Sequence, residues 1–231
     1  MMSRLLVVVA ALVATGCATQ GVNSFTYKPS IASTVQNEKI VARPQAIVWD
    51  ELVRELSKSF YVINNIERES RLINVSFISN SPVEYVDCGR SARHYTQGTK
   101  VETFEYAIAA PSTYKFAGQR QPTPSMISYA IVQREPSLEG RSNIYVAPQQ
   151  NDSTRTIVSV NTRYVLNLKT RGTAFIEGVN SNIIRQDPLP ERSTQIIFNT
   201  NATASSTDQN ATITCFGTGK LELDILNMVK P

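Results

Sequence analysis

The sequence predicts an α+β fold: an N-terminal helix plus β-hairpin, a long antiparallel β-rich middle, and a C-terminal helix. Three observations predict it. Apolar residues recur at three- and four-residue steps after Pro44. They alternate with polar residues over 72–79. From Val83 onward, short β-prone runs are separated by Pro and Gly until a last amphipathic stretch at 219–229.

Pro44 to Lys58 reads as the first helix, with Pro44 suited to its first turn. Val48, Trp49, Leu52, Val53, Leu56 and Phe60 make one apolar stripe. Asp50, Glu51, Arg54, Glu55 and Lys58 fill the other face. Glu51 repels Glu55 and Arg54 repels Lys58, so burial of the stripe, not charge pairing, has to stabilise the helix. Phe60–Ile66 and Leu72–Ser79 then read as two strands around an acidic turn, Glu67-Arg68-Glu69-Ser70.

Further strands are expected at Val83–Val86, Lys100–Ala109, Met126–Gln133, Ile144–Ala147, Arg155–Lys169, Thr173–Val179, Thr194–Asn199 and Ala211–Phe216. Pro111, Pro136, Gly140, Pro148, Gly172, Pro188 and Pro190 are among the residues that separate them. The run Thr200–Asn210, rich in Asn, Ser, Thr and Ala, is expected as an exposed loop or hairpin tip. Gly219–Val229 reads as the closing helix, with Glu222 and Asp224 early in it, where the helix dipole favours acids.

The beginning of the chain has a different character. Arg4 precedes an uncharged run from Leu5 to Ala14, too short to cross a bilayer core of about 30 Å. A basic start before a short apolar core marks a secretory signal peptide. The run ends in Ala14-Thr15-Gly16-Cys17. This resembles the lipobox of bacterial lipoproteins, apart from Ala14, where Leu is commoner. The resemblance implies cleavage between Gly16 and Cys17 and lipid on the Cys17 sulfur. Ala18 is not the Asp that retains such proteins in the inner membrane, so the resemblance also implies the outer membrane, facing the periplasm. Two or three acyl chains on one residue give lasting attachment where one chain does not.

The resulting organisation is a leader at 1–16, a lipidated tether at 17–43, and an α+β body at 44–231 with a sub-boundary allowed near Asn80. Most of the tether shows no sustained period; Phe25, Tyr27 and Ile31 are exceptions able to dock on the body or a partner. Trp49, the strand 60–66 and the strand 73–77 together faintly resemble the helix-grip modules found in a lipoprotein component of the β-barrel assembly machinery. That resemblance implies a hairpin folded onto the first helix and no binding site.

With Cys17 lipidated, Cys88 and Cys215 remain as an even pair in an oxidising compartment, and a disulfide between them is expected; the alternative is two buried free thiols. The bridge would close a loop of 127 residues, for which chain entropy gives about 4–5 kcal/mol.

Composition narrows the function. At 42% hydrophobic and 18% charged, the chain is too apolar for a disordered protein. The net charge of +4 is scattered without a basic run or aromatic ladder, which argues against nucleic acid. It reads as a solvated surface, with at most mild attraction to anionic lipid or cell-wall polymer. Two cysteines and the single histidine, His94, do not make a four-ligand zinc site, and no cofactor motif is present. His94, between Arg93 and Tyr95, reads as an exposed loop residue, and no Gly-x-Ser-x-Gly elbow accompanies it. An enzyme is therefore not expected. The leading expectation is a non-catalytic scaffold or accessory subunit of an envelope assembly, with a protein partner. The alternative is a small-molecule, lipid or glycan-binding lipoprotein with a pocket between the first helix and the sheet.

Overall fold

The computed structural model describes residues 19–118, 123, 125–208 and 211–230. Of these, 63% are strand and 13% helical, which corrects the α+β expectation. The fold is β-rich, with one helix among the strands and one at the C-terminus.

Two strands precede the first helix: β1 (Val22–Lys28) and β2 (Glu38–Val41). The segment expected as a tether is thus partly built into sheets. Helix α1 spans Gln45–Lys58. The hairpin β3 (Val62–Glu67) and β4 (Leu72–Ser79) follows close to its expected bounds. After β5 (Val86–Asp87) come β6 (Arg90–Gln97), β7 (Lys100–Ala107) and β8 (Ser112–Ala117). Then β9 (Ile127–Gln149) and β10 (Asp152–Glu177) run 23 and 26 residues each. They are followed by β11 (Ile183–Asn199), β12 (Thr203–Asp208), β13 (Ala211–Gly217) and helix α2 (Lys220–Leu226).

All pairing is antiparallel. The main sheet runs β11–β10–β9–β4–β3, with β2 on β10 and β8 on β9; the smaller sheets are β1–β6–β7 and β12–β13–β5. The four strands expected between 126 and 179 are therefore pieces of two long ones. Proline position explains how β9 tolerates its apparent breaks. Gly118 N–H donates to Ser128 O and Val146 N–H to Arg71 O, so the even residues of β9 face away from β10. Pro136 falls between Arg134, the last partner of β8, and Leu138, the first partner of β4. Pro148 lies beyond the end of β4. Each proline turns its missing N–H to a side where no strand needs it.

One face of the main sheet is covered. Ile73, Val75 and Phe77 of β4, Leu138 and Ile144 of β9, Val158, Val160, Tyr164 and Leu166 of β10, and Phe198 of β11 join one core with Val48, Trp49, Leu52 and Leu56 of α1. The helix–hairpin packing is present, but the hairpin belongs to a wider sheet. Pro44 caps α1 from outside, its carbonyl accepting from Ile47 and Val48 N–H. Phe60 lies beyond the helix and is exposed. Glu51, expected on the polar face, is buried against Arg43, 2.6 Å away.

Helix α2 closes the same core through Leu221, Ile225 and Leu226. Its Glu222 is fully buried and accepts from Tyr164 Oη at 2.9 and 2.8 Å and from Thr200 Oγ1 at 2.7 Å. Burial raises the Tyr164 hydroxyl far above its ordinary value, and the Glu222 charge adds to this. Lys39 of β2 donates to Val229 O at 2.6 Å and Leu226 O at 3.3 Å, satisfying carbonyls at the end of α2.

Gly140 faces Phe77 across the β4–β9 ladder, and a Cβ there would run into the Phe77 ring. Gly140→Ala is expected to cost about 1–3 kcal/mol by overpacking, measured as a lower urea midpoint at unchanged slope. Tyr164→Phe leaves the buried Glu222 carboxyl with Thr200 alone. It is expected to cost about 1–3 kcal/mol, and thermal unfolding checks it.

Candidate functional site

Of the residues singled out by sequence, Gly16 and Cys17 lie outside the described residues. Cys88 and Cys215 are joined by a disulfide that ties the end of β5 to β13. Tyr27 of β1 sits across this junction: its hydroxyl donates to Cys88 O at 3.1 Å and accepts from Thr214 N–H at 3.1 Å. Gly89, next to the bridge, has φ +75°, and a Cβ there would strike Lys28 O, so the approach of β1 needs glycine.

Beside this junction a cleft of about 450 Å³ opens along β1. Phe25, Tyr27, Arg93, His94, Lys115 and Phe116 form most of its wall. It does not lie under α1, where the alternative binding reading put a pocket; there Val48, Leu52 and Leu56 are fully buried in the core.

The cleft rests on a stack of rings and guanidinium groups contributed by five strands. Arg93 of β6 is 4% exposed. Its guanidinium carbon lies 4.6 Å from the Phe25 ring centre and 4.4 Å from that of Tyr114. Its Nε donates to Tyr106 Oη at 2.7 Å. Tyr106 stacks on Tyr114 with centroids 6.1 Å apart, and Arg134 of β9 lies 4.8 Å over the Tyr106 ring. Arg134 also donates to Ile108 O at 3.0 Å. A buried cation is costly unless its faces and edges find partners; here rings take the faces and oxygens the edges.

Lys115 of β8 extends the pattern. Its Nζ is 4.3 Å from the Tyr95 ring centre, 4.2 Å from that of Tyr129 and 3.5 Å from Glu102. Burial pushes the Tyr95 hydroxyl up to about 12, with the Glu102 charge adding to it. Burial works to raise the Glu102 carboxyl, but Lys100 and Lys115 outweigh it and hold the group below the usual carboxylate range.

Strand β1 is the edge of its sheet, and no strand pairs with its outer side among the described residues. Ile108 N–H donates to Gly89 O at 3.0 Å, so odd residues of β6 face β7 and even residues face β1. The β1 partners Ser24, Thr26 and Lys28 therefore spend their main-chain groups on the ladder. Asn23, Phe25 and Tyr27 direct theirs outward along the cleft.

His94, expected in a loop, lies on β6 instead. It faces Ser24 across the ladder, and its Nδ1 is 2.9 Å from Thr103 Oγ1. No hydrogen bond joins Ser24 to His94 among the described residues. The lining holds two cations and no carboxylate; Arg93 is enclosed by rings and Tyr106 Oη, and Lys115 is paired with Glu102 from outside the cleft wall.

Sequence reasoning missed Arg93, Arg134 and Lys115 because a cation at a buried position breaks the hydrophobic pattern by which strands are read. The available signal was aromatic alternation nearby: Phe25 with Tyr27, Phe104 with Tyr106, Tyr114 with Phe116.

No family model matches this chain, and no curated protein or solved structure matches it either.

Arg93→Ala is expected to open the gap between Phe25 and Tyr114 and cost about 2–4 kcal/mol. Arg93→Lys should recover only part of this, since an ammonium cannot fill a planar slot between two rings. Urea unfolding of both variants measures the difference.

Proposed function

We propose that this chain is a non-catalytic lipoprotein of the bacterial envelope. It is tethered to the outer membrane by lipid on Cys17, faces the periplasm, and acts as a scaffold or accessory subunit by holding an extended segment of a protein partner along β1. The observation that carries the reading is the edge of β1, unpaired among the described residues, opening onto the cationic, aromatic cleft. The Ala14-Thr15-Gly16-Cys17 motif and the Cys88–Cys215 disulfide support an exported, oxidising location.

Strand addition suits this edge physically. Main-chain bonds supply affinity, and the pocket alongside reads side chains. Proteins usually guard exposed edges with proline and charge. The β11 edge carries Pro188, Pro190, Arg185, Asp187, Glu191 and Arg192. Strand β1 has no proline and a single charge, Lys28 at its end, where Pro29 follows. An acidic side chain on the partner strand would be attracted to Lys115, which shares its charge with Glu102.

Two measurements test this. Intact-mass analysis of the native protein should find a chain beginning at a diacylated Cys17; an unmodified Cys17 or a retained leader overturns the membrane assignment. A photo-cross-linking residue at Ser24 should give one discrete adduct in envelopes, weakened by Lys115→Gln. Absence of an adduct from correctly lipidated protein overturns the partner assignment.

A further inference from the structure

The second face of the main sheet is covered at one end, where Ile127 and Tyr129 pack with Tyr95, and open to solvent at its centre, which is built unlike a passive surface. Arg141 of β9 and Arg163 of β10 stand directly opposite one another in register. Like charges in that position repel. Neither arginine enters an ion pair or a side-chain hydrogen bond among the described residues. Glu139, two residues along β9 on the same face, joins neither.

The row continues to both sides, with Ser76 of β4 opposite Arg141 and Asn199 of β11 opposite Arg163. The adjacent row is made of amides. Asn74, Asn143 and Asn161 occupy matching positions on β4, β9 and β10. Asn64 donates to Asn74 at 2.9 Å, Asn74 to Asn143 at 2.6 Å, and Asn37 to Asn161 at 3.1 Å. One further step along β9 lies Tyr145, whose ring is partly exposed. Arg141, Asn143 and Tyr145 thus follow one another on one face of one strand, spaced by about 7 Å.

We propose that this face binds an anionic glycan, a sugar chain carrying carboxylate or phosphate groups. The arginine pair takes the anion with planar, forked donors. The amide row offers both donors and acceptors, matching sugar hydroxyls, which are also both. The Tyr145 ring receives an apolar sugar face. The neighbouring row, Ile78, Glu139, Val165 and Ile197, is apolar but interrupted by the Glu139 carboxylate, so the arginine and amide rows hold the centre of the face. This surface is distinct from the β1 cleft and does not depend on how that cleft is used.

The test uses the full lipidated chain in detergent and three probes: alginate oligosaccharides as the polyuronate, dextran oligosaccharides as the neutral control, and poly-L-glutamate as the non-sugar polyanion. The polyuronate should bind and dextran should not, with binding weakened by added salt. Arg163→Thr should raise Tm by about 1–3 °C through relief of repulsion while lowering polyuronate affinity by about tenfold or more. The pair Asn74→Ala and Asn143→Ala should weaken the polyuronate and leave poly-L-glutamate unaffected. A stabilised Arg163→Thr that binds the polyuronate like the parent overturns the proposal, as does no binding by the parent. Equal binding of poly-L-glutamate, insensitive to the asparagine changes, also overturns the glycan assignment. A lowered Tm for Arg163→Thr removes the repulsion on which the argument rests.

Discussion

In the ladder between β9 and β10, Ile127 pairs with Glu177 at one end and Gln149 with Asp152 at the other. That register places Val158, Val160, Tyr164 and Leu166 under the helices and Arg163 and Asn161 on the open side. A slip of one residue would exchange the two sets. Much of the main sheet and both helices attach to this ribbon: β4 and β8 divide the outer side of β9, β2 and β11 divide that of β10, and both helices pack on its apolar face. The register is held by the apolar set itself, since no arrangement with Leu166 in water and Arg163 in the core is tolerable.

Buried polar groups then fix how the attached layers sit. Arg43 with Glu51 sets the entry of α1, Tyr164 with Glu222 sets α2, and the Arg93 stack joins the small sheet to β8 and β9. Each would be costly if half-made, because a charge or hydroxyl would remain in the core without a partner. The Cys88–Cys215 bridge holds the third sheet to the start of β6. Together they keep β1 at an edge, where its outward main-chain groups border the cleft, and leave the centre of the far face of the main sheet open.

Local physics made part of this legible. The α1 stripe, the β4 alternation and the terminal helix were readable because their periods were sustained and their burial one-sided. The cysteine pair was readable from the number of thiols and the expected oxidising compartment. Other parts were hidden for stated reasons. Strands β1, β6 and β8 carry Asn, Arg or Lys on their inward faces, so their apolar count is low. The prolines of β9 looked like breaks because a sequence does not show which side of a strand is unpaired. Strand β12, made of Thr, Ala, Ser and Asp, has no hydrophobic signal and exists because β13 offers it a ladder.

By itself the sequence determined the elements whose stability is local or follows from one apolar face, together with the thiol pair and the expectation of a lipid anchor. Tertiary structure alone decided that two long strands span what looked like four, that cations lie between aromatic rings, and that Arg141 meets Arg163. The reason is physical: period and composition act over a few residues, whereas register, edge position and the partner of a buried charge are set by strands far apart in the chain.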